Sequence, residues 1–101
     1  LKSGAMITID EARKVIKMMD RNFDSHNFIL AYSLGFSLSY LEMLQENNCD
    51  FAVTNGKVGS FISDNHIDLE IENPKPKATR SANIKKYVSG CTKWRRLNMN
   101  K

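Results

Sequence analysis

The hydrophobic period changes once along this chain, and the change limits what the chain can fold into. As far as Ile62, apolar residues recur at spacings of three and four, the mark of helices that bury one face. Ile67, Leu69 and Ile71 then alternate with Asp68, Glu70 and Glu72, the two-residue repeat of a strand with one buried side. Helices first and strands afterwards, within 101 residues, predict a single α+β domain. Three or four N-terminal helices are followed by a C-terminal β-hairpin or small antiparallel sheet.

Local signals divide the helical part. Thr8-Ile9-Asp10-Glu11 fits a capping box, so a first helix starts there, with Ile9, Ala12, Ile16 and Met19 on one face, and ends near Asp20-Arg21-Asn22. Asp24-Ser25 starts a second helix carrying Phe28, Ile29 and Tyr32, which Gly35 weakens. Ser37 caps a third, with Leu38, Leu41 and Leu44 inward; one glycine is a mild breaker, so a single kinked helix is the alternative. Thr54 or Asn55 caps a short fourth helix bearing Val58, Phe61 and Ile62, which Gly56 and Gly59 leave dependent on packing. The aromatic residues Phe23, Phe28, Phe36 and Tyr40, with Met18, Met19 and Met43, read as core.

Pro74 and Pro76 stop the first strand, since neither can donate to a ladder, and they hold a basic loop extended. Residues 81–84 and 91–97 read as further strands joined by a turn at Ser89-Gly90, with Trp94 anchoring the last strand. Helices, strand, basic loop and hairpin in this order are similar to the element order of winged-helix domains. In such a domain the fourth helix would face the major groove with Asn55, Lys57, Ser60, Ser63 and Asn65. That helix carries one cation, so backbone contacts through the hairpin are the stronger reading.

Charge is distributed along the same boundary. Of 15 basic and 11 acidic residues, the first 72 positions hold six bases and all 11 acids, a net of −5, while positions 73–101 hold nine bases and no acid. Lys75, Lys77, Arg80, Lys85, Lys86, Lys93, Arg95, Arg96 and Lys101 therefore form a basic segment suited to phosphates. Nucleic acid, DNA ahead of RNA, is the expected partner; an acidic protein surface is the competing one, and a solvated basic tail the bland one. Tyr87 and Trp94 are of a type that stacks on bases, although a Trp in an alternating strand more often belongs to the core.

Catalytic signatures are missing from the sequence. There is no phosphate-binding G-x-x-x-x-G-K-[ST], no G-x-S-x-G and no H-E-x-x-H. His66 beside Asp64 and Asp68 lacks a third strong ligand, His26 reads equally as a local cap or exposed residue and as a proton carrier, and neither histidine can be placed beside Cys91 from sequence. No catalytic, cofactor-binding or metal residue is assigned, and no cofactor is expected. Cys49 and Cys91 do not form a metal-ligand spacing and are expected to be thiols in a reducing compartment, with a disulfide between them as the lesser alternative.

No run approaches the roughly 20 apolar residues of a membrane span. Residues 1–5 read as vector-derived and 6–101 as the domain, and the default location is cytoplasmic. Asp24-Ser25-His26 with Phe28, then Ser81, Asn83 and Ile84, then Cys91, Trp94, Arg95 and Arg96, give patterns D-S-H-x-F, S-x-N-I and C-x-x-W-[KR]-[KR]. In these the chain resembles small uncharacterised bacterial proteins, a resemblance that implies no activity. The expected function is that of a small non-enzymatic nucleic-acid-binding accessory or regulatory protein. The alternative is an interaction module, an inhibitor or adaptor, that docks on an acidic surface or self-associates through its helices.

Overall fold

The Thr8 hydroxyl accepts from the Glu11 amide (3.2 Å) and the Glu11 carboxylate accepts from the Thr8 amide (3.1 Å), so the capping box forms as written. It opens α1 (Ile9–Lys17), which buries Ala12, Val15 and Ile16 and leaves Arg13, Lys14 and Lys17 in solvent. The computed structural model describes residues 6–84, 86 and 88–98. Lys85, Tyr87, Lys101 and the first five residues lie outside them.

After α1 the chain enters a short strand, β1 (Asn22–Asp24), which the sequence reading took as the end of the helix and its linker. Three residues are too few to show a period, and β1 owes its form to pairing with the last strand. Asp24 then caps α2 (Ser25–Gly35), accepting from the Asn27 amide at 2.8 Å while the Asn27 side chain accepts from the Asp24 amide at 3.0 Å. Phe36 breaks the helical path with φ −128° and ψ 55°, so α2 and α3 (Ser37–Glu46) are separate helices.

Two helix details differ from the sequence reading. In α3 the buried residues are Tyr40, Met43 and Leu44, whereas Leu38 is 77% and Leu41 51% exposed. Tyr40 turns the helix: its ring meets Tyr32 edge-on at 6.5 Å and its hydroxyl donates to Asn55 Oδ1 at 2.6 Å. No side chain caps α3, so Ser37 does not play that part. Helix α4 (Phe51–Asp64) starts earlier than expected, with Asp50 accepting from the Val53 amide, and Thr54 is buried in its second turn beneath Val58 and Ile62.

Residues 65–70 turn rather than extend, and only Ile71–Glu72 (β2) joins the sheet. Leu69 and Ile71 are buried as the alternation requires, but Ile67 is 79% exposed. Glu70 takes a left-handed φ of 58°, which turns the chain into β2. The Pro74-Pro76 segment bends at residues 75–77 rather than running as an extended arm. Strands β3 (Ala78–Ala82) and β4 (Val88–Arg96) form the hairpin; Ser89 and Gly90 lie within β4, and the chain reverses between Ala82 and Val88.

Strand β4 organises the sheet. Its first half pairs with β3, from Val88 opposite Ala82 to Thr92 opposite Ala78. Its second half lies between β1 and β2, with Trp94 opposite Phe23, Arg95 opposite both Asn22 and Glu72, and Arg96 opposite Ile71. Four helices with a small antiparallel sheet, its hairpin C-terminal to the helices, give the α+β layout. Trp94, 3% exposed, joins Phe23, Phe28, Tyr32 and Ile71 in one core, and its indole donates to Ser25 Oγ at 3.2 Å. No helix among the described residues is long and apolar enough to cross a membrane.

Candidate functional site

The nine basic residues of the C-terminal segment have different fates. Arg96 is 6% exposed, and its guanidinium donates to the carbonyls of Lys17 (3.4 Å) and Met19 (2.9 Å) at the C-terminal end of α1. A cation there meets the negative end of the helix, so Arg96 is structural and unavailable to phosphate. Arg95 pairs with Glu72 across the β2–β4 ladder through both Nε and Nη2. Both were expected among the phosphate contacts; one is buried and the other is partly neutralised.

Lys75, Lys77, Arg80 and Lys86 remain exposed, and Lys93 is half-buried opposite Asp24. Among the described residues none of these five has a carboxylate within 4.0 Å. Lys75 and Lys77 lie on the bend before β3, Arg80 is central in β3 on its exposed alternate positions with Ala78 and Ala82, and Lys86 lies in the connection to β4. Lys85, also expected among the phosphate contacts, lies outside the described residues.

The polar residues of α4 are less free. Asn55 accepts from Tyr40, Lys57 Nζ donates to Asn47 Oδ1 at 2.6 Å, and Asn65 donates to the Phe61 carbonyl at 2.8 Å. Ser60 and Ser63 are exposed. With its amides and its cation committed inside the molecule, α4 is poorly suited to reading base edges.

Between α2, α4 and the hairpin lies a cavity of about 420 Å³, a size typical of small-ligand pockets. Helix α4 lines it with Phe51, Ala52, Asn55, Gly56 and Gly59, α2 with Ser25, His26 and Ile29, and the hairpin with Asn83, Ile84, Cys91 and Thr92. A Cβ added at Gly56 or Gly59 would meet nothing within 4 Å, so the glycines keep this wall open rather than serve a tight helix contact.

At one side of the cavity stand Asp24, His26 and Cys91. One carboxylate oxygen, one imidazole nitrogen and the sulfur all lie within 4.8 Å of one another. His26 Nδ1 is 3.2 Å from the Ser81 carbonyl and 3.0 Å from the Ser81 hydroxyl, and Ser89 Oγ is 3.4 Å from Nε2. A carbonyl only accepts, so the tautomer that bonds it is the one with the proton on Nδ1. Ser81 Oγ is also 3.6 Å from Cys91 Sγ. Compared with known proteins, the chain matches no family model, no curated protein and no solved structure. The site is read from its own geometry.

Sequence alone does not place His26 beside Cys91, 65 positions distant, and leaves His26 equally a cap or exposed side chain and a proton carrier. The cap is Asp24, and His26 turns to the hairpin instead. Asp24, Ser25, His26, Ser81, Asn83, Ile84 and Cys91 all lie at this cavity or in contact with its residues, brought together by packing rather than by any spacing in the chain. His66, by contrast, bonds the Ser63 carbonyl at 2.9 Å and lies 6.0 Å from the Trp94 ring, away from any metal-type cluster among the described residues. Both cysteines are free thiols, Cys49 exposed and Cys91 half-buried.

Proposed function

We propose that this protein binds nucleic acid, DNA ahead of RNA, as an accessory or regulatory factor whose β3–β4 hairpin and preceding bend contact backbone phosphates. The observation that carries this reading is the set of exposed cations Lys75, Lys77, Arg80 and Lys86, none with a carboxylate in ion-pair range among the described residues. Cations on a hairpin and its flanking loops release counterions from a phosphate backbone, a gain that needs no base-specific contact. The internal commitments of Asn55, Lys57 and Asn65 fit weak sequence preference.

Anisotropy titration of labelled duplex and single-stranded DNA and RNA tests this. Four phosphate contacts give a log–log salt slope of about −3.6, so affinity falls roughly 150-fold between 50 and 200 mM salt. Alanine at Lys75, Lys77, Arg80 or Lys86 lowers the slope by about one each. An absence of binding at low salt, or binding indifferent to all four substitutions, refutes the reading.

A second reading rests on a different surface. Leu34 and Leu38 are 74% and 77% exposed on either side of the Phe36 corner, flanked by the exposed Leu30 and Leu41, and residues 27–41 contain no charged side chain. Such an apolar stripe suits self-association through α2 and α3. Sedimentation of the wild type against Leu34→Glu with Leu38→Glu distinguishes a dimer from a monomer; a monomeric wild type at high concentration removes this reading.

A further inference from the structure

We propose that Asp24, His26 and Cys91 form a binding site for a divalent transition metal of the zinc type, with an open coordination position toward the cavity between α2, α4 and the hairpin. A carboxylate oxygen, an imidazole nitrogen and a thiolate sulfur are the mixed donors that zinc accepts, whereas magnesium and calcium take oxygen ligands. Donor atoms around a tetrahedral zinc with bonds of about 2.0–2.3 Å stand roughly 3.3–3.8 Å apart. Here they lie within 4.8 Å, so closure asks for about an ångström of side-chain movement.

Three further features match the demands of such a site. The Ser81 carbonyl lies where it can accept from His26 Nδ1–H, the kind of outer hydrogen bond that orients a histidine coordinating a metal through Nε2. Asp24 is 8% exposed and held by the α2 cap through one oxygen, so its carboxylate is already positioned before an ion arrives. Cys91 and His26 both line the cavity, so a fourth position on the metal would be filled by water or a small ligand there. Lys93, opposite Asp24 in the ladder, makes no ion pair with it among the described residues.

The ligands come from two separate parts of the fold. Asp24 and His26 sit at the β1–α2 junction and Cys91 on β4, so a bound ion would tie the hairpin to α2. Binding should therefore stabilise the fold as well as fill the site, because the unfolded chain does not hold the three donors together.

Cobalt(II) titration of the metal-free protein, followed by zinc competition, tests the site without nucleic acid and so independently of the phosphate reading. The expected result is one ion per chain, a sulfur-to-cobalt charge-transfer band, tetrahedral visible bands, and a melting temperature several degrees higher with zinc. Cys91→Ser should abolish the charge-transfer band and weaken binding at least tenfold. Asp24→Asn should weaken it as strongly, and because Asn caps helices as well as Asp, it separates loss of a ligand from loss of α2. Cys49→Ser, on the exposed thiol, should leave band and affinity unchanged. Failure of folded protein to bind either ion, or a band that survives Cys91→Ser and disappears in Cys49→Ser, overturns the proposal.

Discussion

Arg96 donates to the Met19 carbonyl at 2.9 Å from a position 77 residues further along the chain, and so joins the end of β4 to the end of α1. Removing the guanidinium leaves the partly buried Lys17 and Met19 carbonyls without this donor and the helix end without its cation. Arg96→Ala is therefore expected to cost about 2–3 kcal/mol in urea denaturation. Arg80→Ala, at an exposed position of β3, should stay within about 0.5 kcal/mol of wild type. Equal effects from the two substitutions would contradict their different placement.

Glu11 joins the α1 cap to two other helices. Its carboxylate accepts from the Tyr32 hydroxyl at 3.1 Å and from Ser39 Oγ at 2.9 Å. Burial first, and then the Glu11 charge, push the Tyr32 hydroxyl well above the ordinary tyrosine range, and burial raises Tyr40 as well. In the unfolded chain these tyrosines ionise near pH 10 and release protons that the folded protein retains. Their contribution to stability is thus complete below pH 10 and declines as pH rises above it. Tyr32→Phe should cost about 1–2 kcal/mol at neutral pH through the lost bond to Glu11. The gap to wild type should narrow in denaturation series taken above pH 10; a constant gap would show that Tyr32 does not titrate this way.

Gly56 and Gly59 lie inside α4 on the cavity wall, where a Cβ has open space. Alanine at either position should raise stability by about 0.5–1 kcal/mol, since it restricts the unfolded chain without meeting a neighbour. Thermal or urea unfolding of each variant checks this. Destabilisation would mean that the cavity wall is closer to the hairpin than its geometry shows.

Ile67 and Ile71 belong to the same alternating run but have opposite surroundings, 79% and 1% exposed. Ile67→Asp should change stability by no more than about 0.5 kcal/mol. Ile71→Ala should cost about 2–5 kcal/mol from lost burial and the cavity left behind. A large loss at Ile67 would restore the longer strand that its periodicity suggests.

The helical half was legible where information was local. The capping box at Thr8 and Glu11, the Asp24 cap and the faces of α1 and α2 depend on residues three or four apart, which the chain states directly. The face of α3 was not legible, because Leu38 and Leu41 look as apolar as Tyr40 and Met43, and the contacts of Tyr40 with Tyr32 and Asn55 decide which pair is buried. Strand β1 was hidden for a similar reason: it exists only because Phe23 finds Trp94.

The sequence by itself determined the α+β class, the order of helices before hairpin, and the concentration of positive charge after Asn73, since period, caps and residue counts are properties of the chain alone. Only the tertiary structure decided which charges remain free. Burial drew Arg96 to the end of α1 and the β2 pairing gave Arg95 to Glu72, leaving Lys75, Lys77, Arg80 and Lys86 in solvent. It also decided that His26 and Cys91 are neighbours, because proximity across 65 positions arises from strand pairing and helix packing, which no local pattern records.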